Sequence, residues 1–205
     1  VRIIDRGERP LKGFDPNLVD KLLERSSEAG IEVTSKASLA TVARQGSGYS
    51  VTLDVDGDCQ EFAVDLIVHG AGRVPAINDL DLDKADVSFS ASGVKVNDYL
   101  QSTSNPAIYA AGDAADTQGA PLTPVAVFEG KVAASNMLKG NHAKPDYHGV
   151  PTVVFTIPEL ARVGMLEEEA KAAGHNLRIA MNDTSDWYSN LRVGETCAAT
   201  KVIID

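Results

Sequence analysis

The opening of the chain has the pattern of a β-α-β unit, and this feature constrains the fold more than any other. Residues 1–5 form a short apolar run that ends in an acid, and residues 31–35 form a second strand-like run. Between them, Asp15 followed by Pro16 is typical of a helix start, and Gly30 is typical of a helix end. Two strands that are joined through a helix run parallel. The opening therefore predicts an α/β fold with a parallel sheet.

The hydrophobic pattern changes its period after this unit. Residues 49–55 alternate between apolar and polar side chains, and the dipeptide Asp56-Gly57 is a strong hairpin signal. Residues 60–64 give a returning strand, and residues 66–68 are a short apolar run typical of a buried strand. These runs predict a three-stranded antiparallel meander that interrupts the α/β pattern.

Two further groups of elements follow, separated by a linker. Residues 142–150 are polar and contain glycine and proline, as linkers do. The first group opens with a glycine-rich loop at residues 70–75. Strands are expected at residues 94–96, 108–113, 151–156 and 201–204, and helices at residues 123–140 and 167–173.

Both ends of the chain interrupt a pattern. The chain opens on an apolar strand without an initiator methionine, and its last strand has no predicted partner after it. We therefore expect the chain to be a truncated part of a longer protein. We also expect this part to be inactive by itself.

The composition argues against several classes of function. The net charge is −10, from 29 acidic and 19 basic residues, without a concentrated basic stripe. Nucleic-acid binding is not expected, because neutralising phosphates needs clustered Lys and Arg. No apolar stretch could span a bilayer, and no signal peptide precedes the first strand, so we expect a cytoplasmic protein without a membrane partner.

The cysteines do not predict chemistry within this chain. Cys59 and Cys197 are far apart in the sequence, so neither belongs to a local redox pair or a zinc site. Both are expected to be packing thiols. No catalytic residue and no metal site is therefore predicted within these residues.

The hexapeptide IYAAGD, residues 108–113, is the first motif that points to a ligand. It predicts a buried strand whose small residues end at Gly112 and deliver the carboxylate of Asp113 into a cleft. Glycine lets a ligand approach the backbone, and aspartate accepts hydrogen bonds from hydroxyls such as those of a sugar or ribityl chain. The alternative is that Asp113 only caps a turn at the end of the strand.

The helix that follows begins within LTPVA, residues 122–126. Thr123 is expected to cap it, and Pro124 suits its first turn. Free N–H groups at such an end favour negative charge, and a reduced flavin develops negative charge along its N1–C2=O edge. The alternative is a well-capped helix that binds nothing.

Three motifs together resemble the glutathione reductase and dihydrolipoamide dehydrogenase family of pyridine nucleotide–disulfide oxidoreductases. The run YAAGDAAD…APLTPVAVFEGKVAASNML, residues 109–138, resembles the second FAD-binding segment of this family. The loop GAGRVP, residues 70–75, resembles the segment that joins its NAD(P) domain to its FAD domain. The run PTVVFTIPELARVGMLEEEA, residues 151–170, is similar to the start of its dimerisation domain. The motifs occur in the family's order and cover nearly the whole chain.

The resemblance implies that two parts of the first of these segments, residues 109–138, bind FAD. Asp113, preceded by Gly112, would hold the ribityl chain. The backbone of Leu122 and Thr123 would lie near the pyrimidine edge of the flavin.

The residues after the first strand give two opposing indications of which pyridine nucleotide binds. An acid at the end of the second Rossmann strand usually binds the adenosine ribose of NAD and repels a 2′-phosphate, and Asp5 stands at that place. By resemblance, Arg6 and Lys12 match two basic positions with which glutathione reductases hold the 2′-phosphate of NADPH. We expect NADP, with NAD as the alternative. The resemblance also implies that Gly72 and Val153 lie near the nicotinamide.

The resemblance implies a domain division and an activity for the whole protein. Residues 1–75 would belong to a Rossmann-type NAD(P)-binding domain, residues 76–145 to an FAD domain, and residues 146–205 to an α+β dimerisation domain. The whole protein would be a homodimeric flavoprotein that passes electrons from NAD(P)H through FAD to a small-molecule disulfide, as glutathione reductase does. Its redox cysteine pair would precede residue 1, and a His–Glu pair would follow residue 205, so the sequence does not identify the substrate.

Two other functions stay open. One is an FAD oxidoreductase without redox cysteines, such as a transhydrogenase. The other is a non-catalytic binding or assembly module. The second is less favourable physically, because half of a Rossmann sheet by itself exposes an unpaired edge and an apolar face.

Overall fold

The predicted β-α-β unit is present in the computed structural model, which describes residues 1–205. Strand β1 (Arg2–Ile4) runs parallel to β2 (Glu32–Thr34), and helix α1 (Pro16–Glu28) joins them. The helix begins where expected, because the carboxylate of Asp15 accepts the N–H groups of the first turn, at 3.0 Å from Asn17. The fold class expected from the opening of the chain is therefore confirmed.

The antiparallel meander is also present, but its strands differ from the prediction. It consists of β3 (Ala37–Gln45), β4 (Gly48–Val55) and β5 (Asp58–Val64), with β4 in the middle. Asp56 and Gly57 have φ angles of 52° and 92°, so the expected turn forms between β4 and β5. The third strand is therefore β3 and not residues 66–68.

The apolar run at residues 66–68 was wrongly predicted to be a strand. Strand β4 already has a hydrogen-bonded neighbour on each side, and the run pairs with no other strand of the chain. Leu66 and Val68 are 74% and 83% exposed. Apolar composition indicated burial here, but it did not indicate a partner.

The last 55 residues form two antiparallel strand pairs and two short helices. In chain order, after strands β6 to β8 (residues 89–116) and helix α2 (Thr123–Lys139), they are β9 (Thr152–Val154), β10 (Leu160–Arg162), α3 (Glu167–Ala172), β11 (Arg178–Asp183), α4 (Tyr188–Val193) and β12 (Ala199–Ile204). Strand β9 pairs with β10 and β11 with β12, both antiparallel. Leu160 packs with Phe14, Val19 and Leu22 around helix α1. Residues 1–69 and 151–205 thus form one compact unit, here called the first unit.

A buried lysine joins helix α1 to β12 and α3 within the first unit. The side chain of Lys201 is 5% exposed, and its Nζ lies 2.7 Å from Oδ2 of Asp15 and 2.8 Å from Oε2 of Glu167. Burial lowers the pKa of Lys201, but its bonds to the two carboxylates outweigh burial and raise it. Hydrogen bonds from Lys171 and Lys201 lower the pKa of Glu167 to about 2. The cap of α1 is therefore also one side of a buried ion cluster.

Residues 70–150 form the second compact unit. Its sheet contains β6 (Phe89–Ser90), β7 (Gly93–Lys95) and β8 (Ala115–Asp116), and its long helix is α2 (Thr123–Lys139). Its buried apolar side chains are those of Ile77, Val87, Val94, Leu100, Ala115, Val125 and Ala133. No helix of the molecule has both the length and the apolar character needed to cross a membrane.

Two local predictions in this unit were wrong. Residues 108–113 do not form a regular buried strand: they are only partly buried, Tyr109 makes a single bridge to Gln101, and Gly112–Ala114 is a 3-10 turn. Thr123 does not cap α2, because Leu122 is the N-cap residue and no side chain caps the helix. The predicted three-part division of the chain at residues 75 and 145 stays a prediction.

Candidate functional site

The turn that carries Asp113 is built against helix α2. Gly112 has a φ of +63°, a left-handed conformation that favours glycine. A Cβ atom at this position would lie 2.7 Å from the Cβ of Ala126, so a larger residue would push the turn off the helix. The small residues of the motif therefore serve the close approach of turn and helix.

The carboxylate of Asp113 points out of this turn and is half exposed. Its Oδ2 lies 3.1 Å from Nη2 of Arg73, and the same guanidinium group donates to the backbone oxygen of Pro121 at 3.1 Å. Arg73 belongs to the GAGRVP loop and is 70% exposed. The loop at residues 70–75 and the Asp113 turn are therefore brought together within the second unit.

The N-terminal end of α2 lies beside Asp113. Leu122 has extended backbone, with φ −121° and ψ 140°, and Pro124 occupies the first turn. Because no side chain caps this end, the first N–H groups of the helix are available to a ligand. Together these groups give the end a partial positive charge.

The turn, the loop and the helix end line one cavity of about 400 Å³ that is broadly open to solvent. This volume lies in the range of small-molecule sites. It combines a carboxylate acceptor, a guanidinium donor and a helix N-terminus. Its lining residues are Arg73, Ala111, Gly112, Asp113, Pro121, Thr123, Ala126 and Val127.

Glu129 is a residue of this region that the sequence did not single out. It lies on α2 and is 1% exposed. Its carboxylate accepts the N–H of Gly112 at 2.6 Å, the hydroxyl of Thr117 at 2.8 Å and the hydroxyl of Tyr147 at 2.6 Å. Burial, and then the bond to Glu129, raise the pKa of Tyr147 to about 12, so that hydroxyl stays a donor. The available signal was the position of Glu129, four residues after buried Val125 on the same helix face.

A second group of predicted site residues lies in the first unit, directly after β1. Oδ1 of Asp5 accepts the N–H of Gly7 at 2.6 Å. A Cβ atom at Gly7 would lie 2.9 Å from that oxygen and 2.8 Å from Cε of Lys12, so these three residues are close together. Arg6 is exposed in the same turn. The structure thus brings an acid and a base together at the end of β1.

Gly72 and Val153 are the remaining predicted site residues. Gly72 has a φ of +97° and is exposed in the second unit, next to Arg73. Val153 is 42% exposed and lies in β9 of the first unit, where it pairs with Ala161.

The two cysteines are free thiols in different surroundings. Cys59 is exposed on β5, and Cys197 is partly buried, with its Sγ 3.5 Å from the backbone oxygen of Lys21. Burial, and then the charge of Glu195, raise the pKa of Cys197. Because the thiolate is the nucleophile, these surroundings disfavour reactivity at Cys197.

Two family models match the chain. The model described as pyridine nucleotide-disulphide oxidoreductase matches residues 1–130, and its dimerisation domain matches residues 150–205. An uncharacterised 19.7 kDa protein in the mercuric resistance operon of Staphylococcus aureus is 52% identical over 126 residues, which are 62% of this chain and 70% of that protein. A mercuric reductase of the same species is 35% identical over 206 residues, covering 100% of this chain and 37% of the reductase.

Solved structures show the same fold. The HOCl-induced flavoprotein disulfide reductase RclA of Escherichia coli matches with a TM-score of 0.86 and 23% identity, over 100% of this chain and 46% of that protein. The chain therefore spans little more than a third of the mercuric reductase and less than half of this solved structure.

Proposed function

The chain belongs to the pyridine nucleotide-disulphide oxidoreductase family, and on that premise we propose that the whole protein is an FAD enzyme that transfers electrons from NAD(P)H to a small disulfide. The observation that carries this proposal is the cavity between the Asp113 turn and the start of α2. Its acceptor carboxylate and uncapped helix end suit a hydroxylated, electron-accepting ligand.

The donor and acceptor groups of the cavity fit part of an FAD molecule. Asp113 would accept the ribityl hydroxyls, because its carboxylate is half exposed at the cavity. Gly112 would let the ligand approach the backbone, and the N–H of Thr123, which follows Leu122, would stabilise negative charge on the flavin edge. Bound FAD supplies the two-electron chemistry that connects a pyridine nucleotide to a disulfide.

The cluster after β1 supports NADP as the pyridine nucleotide. Lys12 lies close to Asp5 through Gly7, so its positive charge offsets the acid that would repel a 2′-phosphate. Arg6 is exposed beside them and would bind the phosphate through two N–H groups. Gly72 and Val153 would lie on the nicotinamide side. NAD is the alternative coenzyme.

Replacing Arg6 with alanine is expected to raise the KM for NADPH by at least about tenfold and to leave the KM for NADH unchanged, since a charged hydrogen bond is worth about 1.5–3 kcal/mol. Steady-state kinetics with both coenzymes measure this ratio. Arg9→Ala is the matched control, because Arg9 lies in the same turn but donates to the backbone oxygen of Phe14 at 3.1 Å. An equal loss with both coenzymes in Arg6→Ala would remove the phosphate role.

We also propose the assembly and the location. The match to the family's dimerisation domain at residues 150–205 supports a homodimer of the whole protein. A cytoplasmic location is consistent with a substrate that NAD(P)H reduces. We propose that residues 1–75 belong to the NAD(P)-binding domain, residues 76–145 to the FAD domain and residues 146–205 to the dimerisation domain.

Mercuric ion is a second candidate substrate. Two relatives carry mercury in their names, a mercuric reductase and a protein of a mercuric resistance operon. The first of these two aligns with the whole chain. The competing substrates are thus a low-molecular-weight disulfide and Hg²⁺.

The test is a purification of the whole protein followed by two measurements. Flavin absorption of the pure protein is expected, together with NADPH oxidation that depends on the electron acceptor. Oxidised glutathione, oxidised lipoamide and Hg²⁺ are compared at equal concentration. Purified protein that neither contains nor takes up FAD would overturn the proposal, whereas turnover with Hg²⁺ alone would select the second candidate.

A further inference from the structure

We propose that Glu129 is a positioning residue that sets where Asp113 lies on the cavity wall. This role rests on the proposed FAD site and names a residue that determines its geometry. Glu129 lines no part of the cavity itself. It acts through the turn that carries Asp113.

The carboxylate of Glu129 holds both ends of this turn. Oε2 accepts the N–H of Gly112, the residue directly before Asp113, at 2.6 Å. Oε1 accepts the hydroxyl of Thr117 at 2.8 Å, after the turn. Gly119 passes so close that a Cβ atom there would lie 2.6 Å from Oε1. Residues 112–119 are therefore fixed to one point on α2.

That point belongs to the same helix whose N-terminal end forms the other side of the cavity. Thr123 and Ala126 line the cavity, and Glu129 follows Ala126 by one turn of the helix. The bond from Gly112 thus fixes the distance between the Asp113 carboxylate and the helix end. A binding site needs such groups within about 0.5 Å of their productive positions.

A comparison along α2 separates this role from general packing. Asn136 lies seven residues after Glu129 and is equally buried, at 1% exposure. Its amide bonds the backbone of Tyr99, His142 and Ala143, and no residue of the Asp113 turn. A neutral amide therefore suffices to hold the segment after α2. A buried carboxylate is costly. Glu129 supplies one because the turn needs an acceptor oxygen for the N–H of Gly112 and another for the hydroxyl of Thr117.

Glu129→Met is expected to raise the dissociation constant for FAD about tenfold in the whole protein, because methionine has a similar length but no acceptor oxygen and leaves the N–H of Gly112 without its partner. The measurement is a fluorescence titration of the apoprotein with FAD, at a temperature well below every variant's Tm. Asn136→Ala is the matched control: it loses stability through the same helix and is expected to keep the wild-type dissociation constant. Tyr147→Phe removes one donor at Oε1 only and is expected to change the constant less than about twofold.

Amide hydrogen exchange of the apoprotein supplies a readout that needs no flavin. The Gly112 amide is expected to exchange faster in Glu129→Met, which has no acceptor oxygen for it, and at the wild-type rate in Asn136→Ala. Wild-type FAD affinity and wild-type Gly112 exchange in Glu129→Met would each overturn the positioning role. So would an equal loss of affinity in Asn136→Ala, since it would make the effect one of stability. If the wild-type protein takes up no FAD, the proposed function fails, and faster Gly112 exchange still identifies Glu129 as the residue that orders the turn.

Discussion

Asp113→Ala is expected to lower the affinity of the protein for FAD by about two orders of magnitude. The carboxylate is the one acidic group that lines the cavity, and it is half exposed there. Two hydrogen bonds from ligand hydroxyls to a charged acceptor, at about 1.5 kcal/mol each, correspond to about a hundredfold change in the dissociation constant. Equilibrium titration of the apoprotein with FAD measures it directly.

Two further variants distinguish binding from loss of structure. Asp116→Ala removes an exposed aspartate of the same segment that does not line the cavity, and it is expected to leave the FAD affinity unchanged. Asp113→Asn keeps an acceptor oxygen and is expected to lose less affinity than Asp113→Ala. The exposed ion pair with Arg73 contributes little to stability, so its loss does not confound the result. Wild-type FAD affinity in all three variants would show that the ligand does not bind at Asp113.

The predicted residues that line the cavity, Gly112, Asp113 and Thr123, could be identified because their signals are local. Gly112 and Asp113 are adjacent in the sequence, and the helix start at residues 122–126 carries its own proline. Glu129 could not be predicted with the same ease, because its role depends on a turn 17 residues earlier that folds back onto its helix. A glutamate within a helix is usually solvent-exposed, and only the buried neighbours Val125 and Ala133 distinguish this one.

The meander likewise shows that local sequence patterns predict a turn but not which strands pair. The hairpin at Asp56 and Gly57 was predictable, since both residues favour the positive φ that the turn requires. Strand β3 (Ala37–Gln45) was missed because most of its side chains are small or polar and exposed, so its sequence lacks a buried face. The apolar residues 66–68 carried the stronger strand pattern but have no partner among the described residues. Pairing, and not composition, decided which segment became the third strand.

Lys201→Met is expected to lower the free energy of unfolding by about 3–5 kcal/mol at neutral pH, because it leaves the buried carboxylate of Asp15 without its cation. The Lys201 side chain is 5% exposed and that of Asp15 is 9% exposed, so little water reaches the pair. The same lysine joins α1 to α3 through Glu167. Urea denaturation followed by circular dichroism measures the loss. The matched control is Lys171→Met, which removes a 60% exposed partner of Glu167 and is expected to cost less than about 1 kcal/mol.

The pH dependence of the difference in unfolding free energy between the wild-type protein and Lys201→Met identifies the electrostatic origin of that difference. Hydrogen bonds from Lys171 and Lys201 lower the pKa of Glu167 to about 2, from an ordinary value of 4.5. A carboxyl group whose pKa is lowered in the folded state stabilises that state fully above its unfolded pKa, and the stabilisation is lost as the pH falls through its folded pKa. The gap between the wild-type protein and Lys201→Met should therefore narrow between pH 4.5 and about 2. A gap that stays constant over this range would mean that Lys201 stabilises the first unit by packing its hydrocarbon chain, and not by its charge.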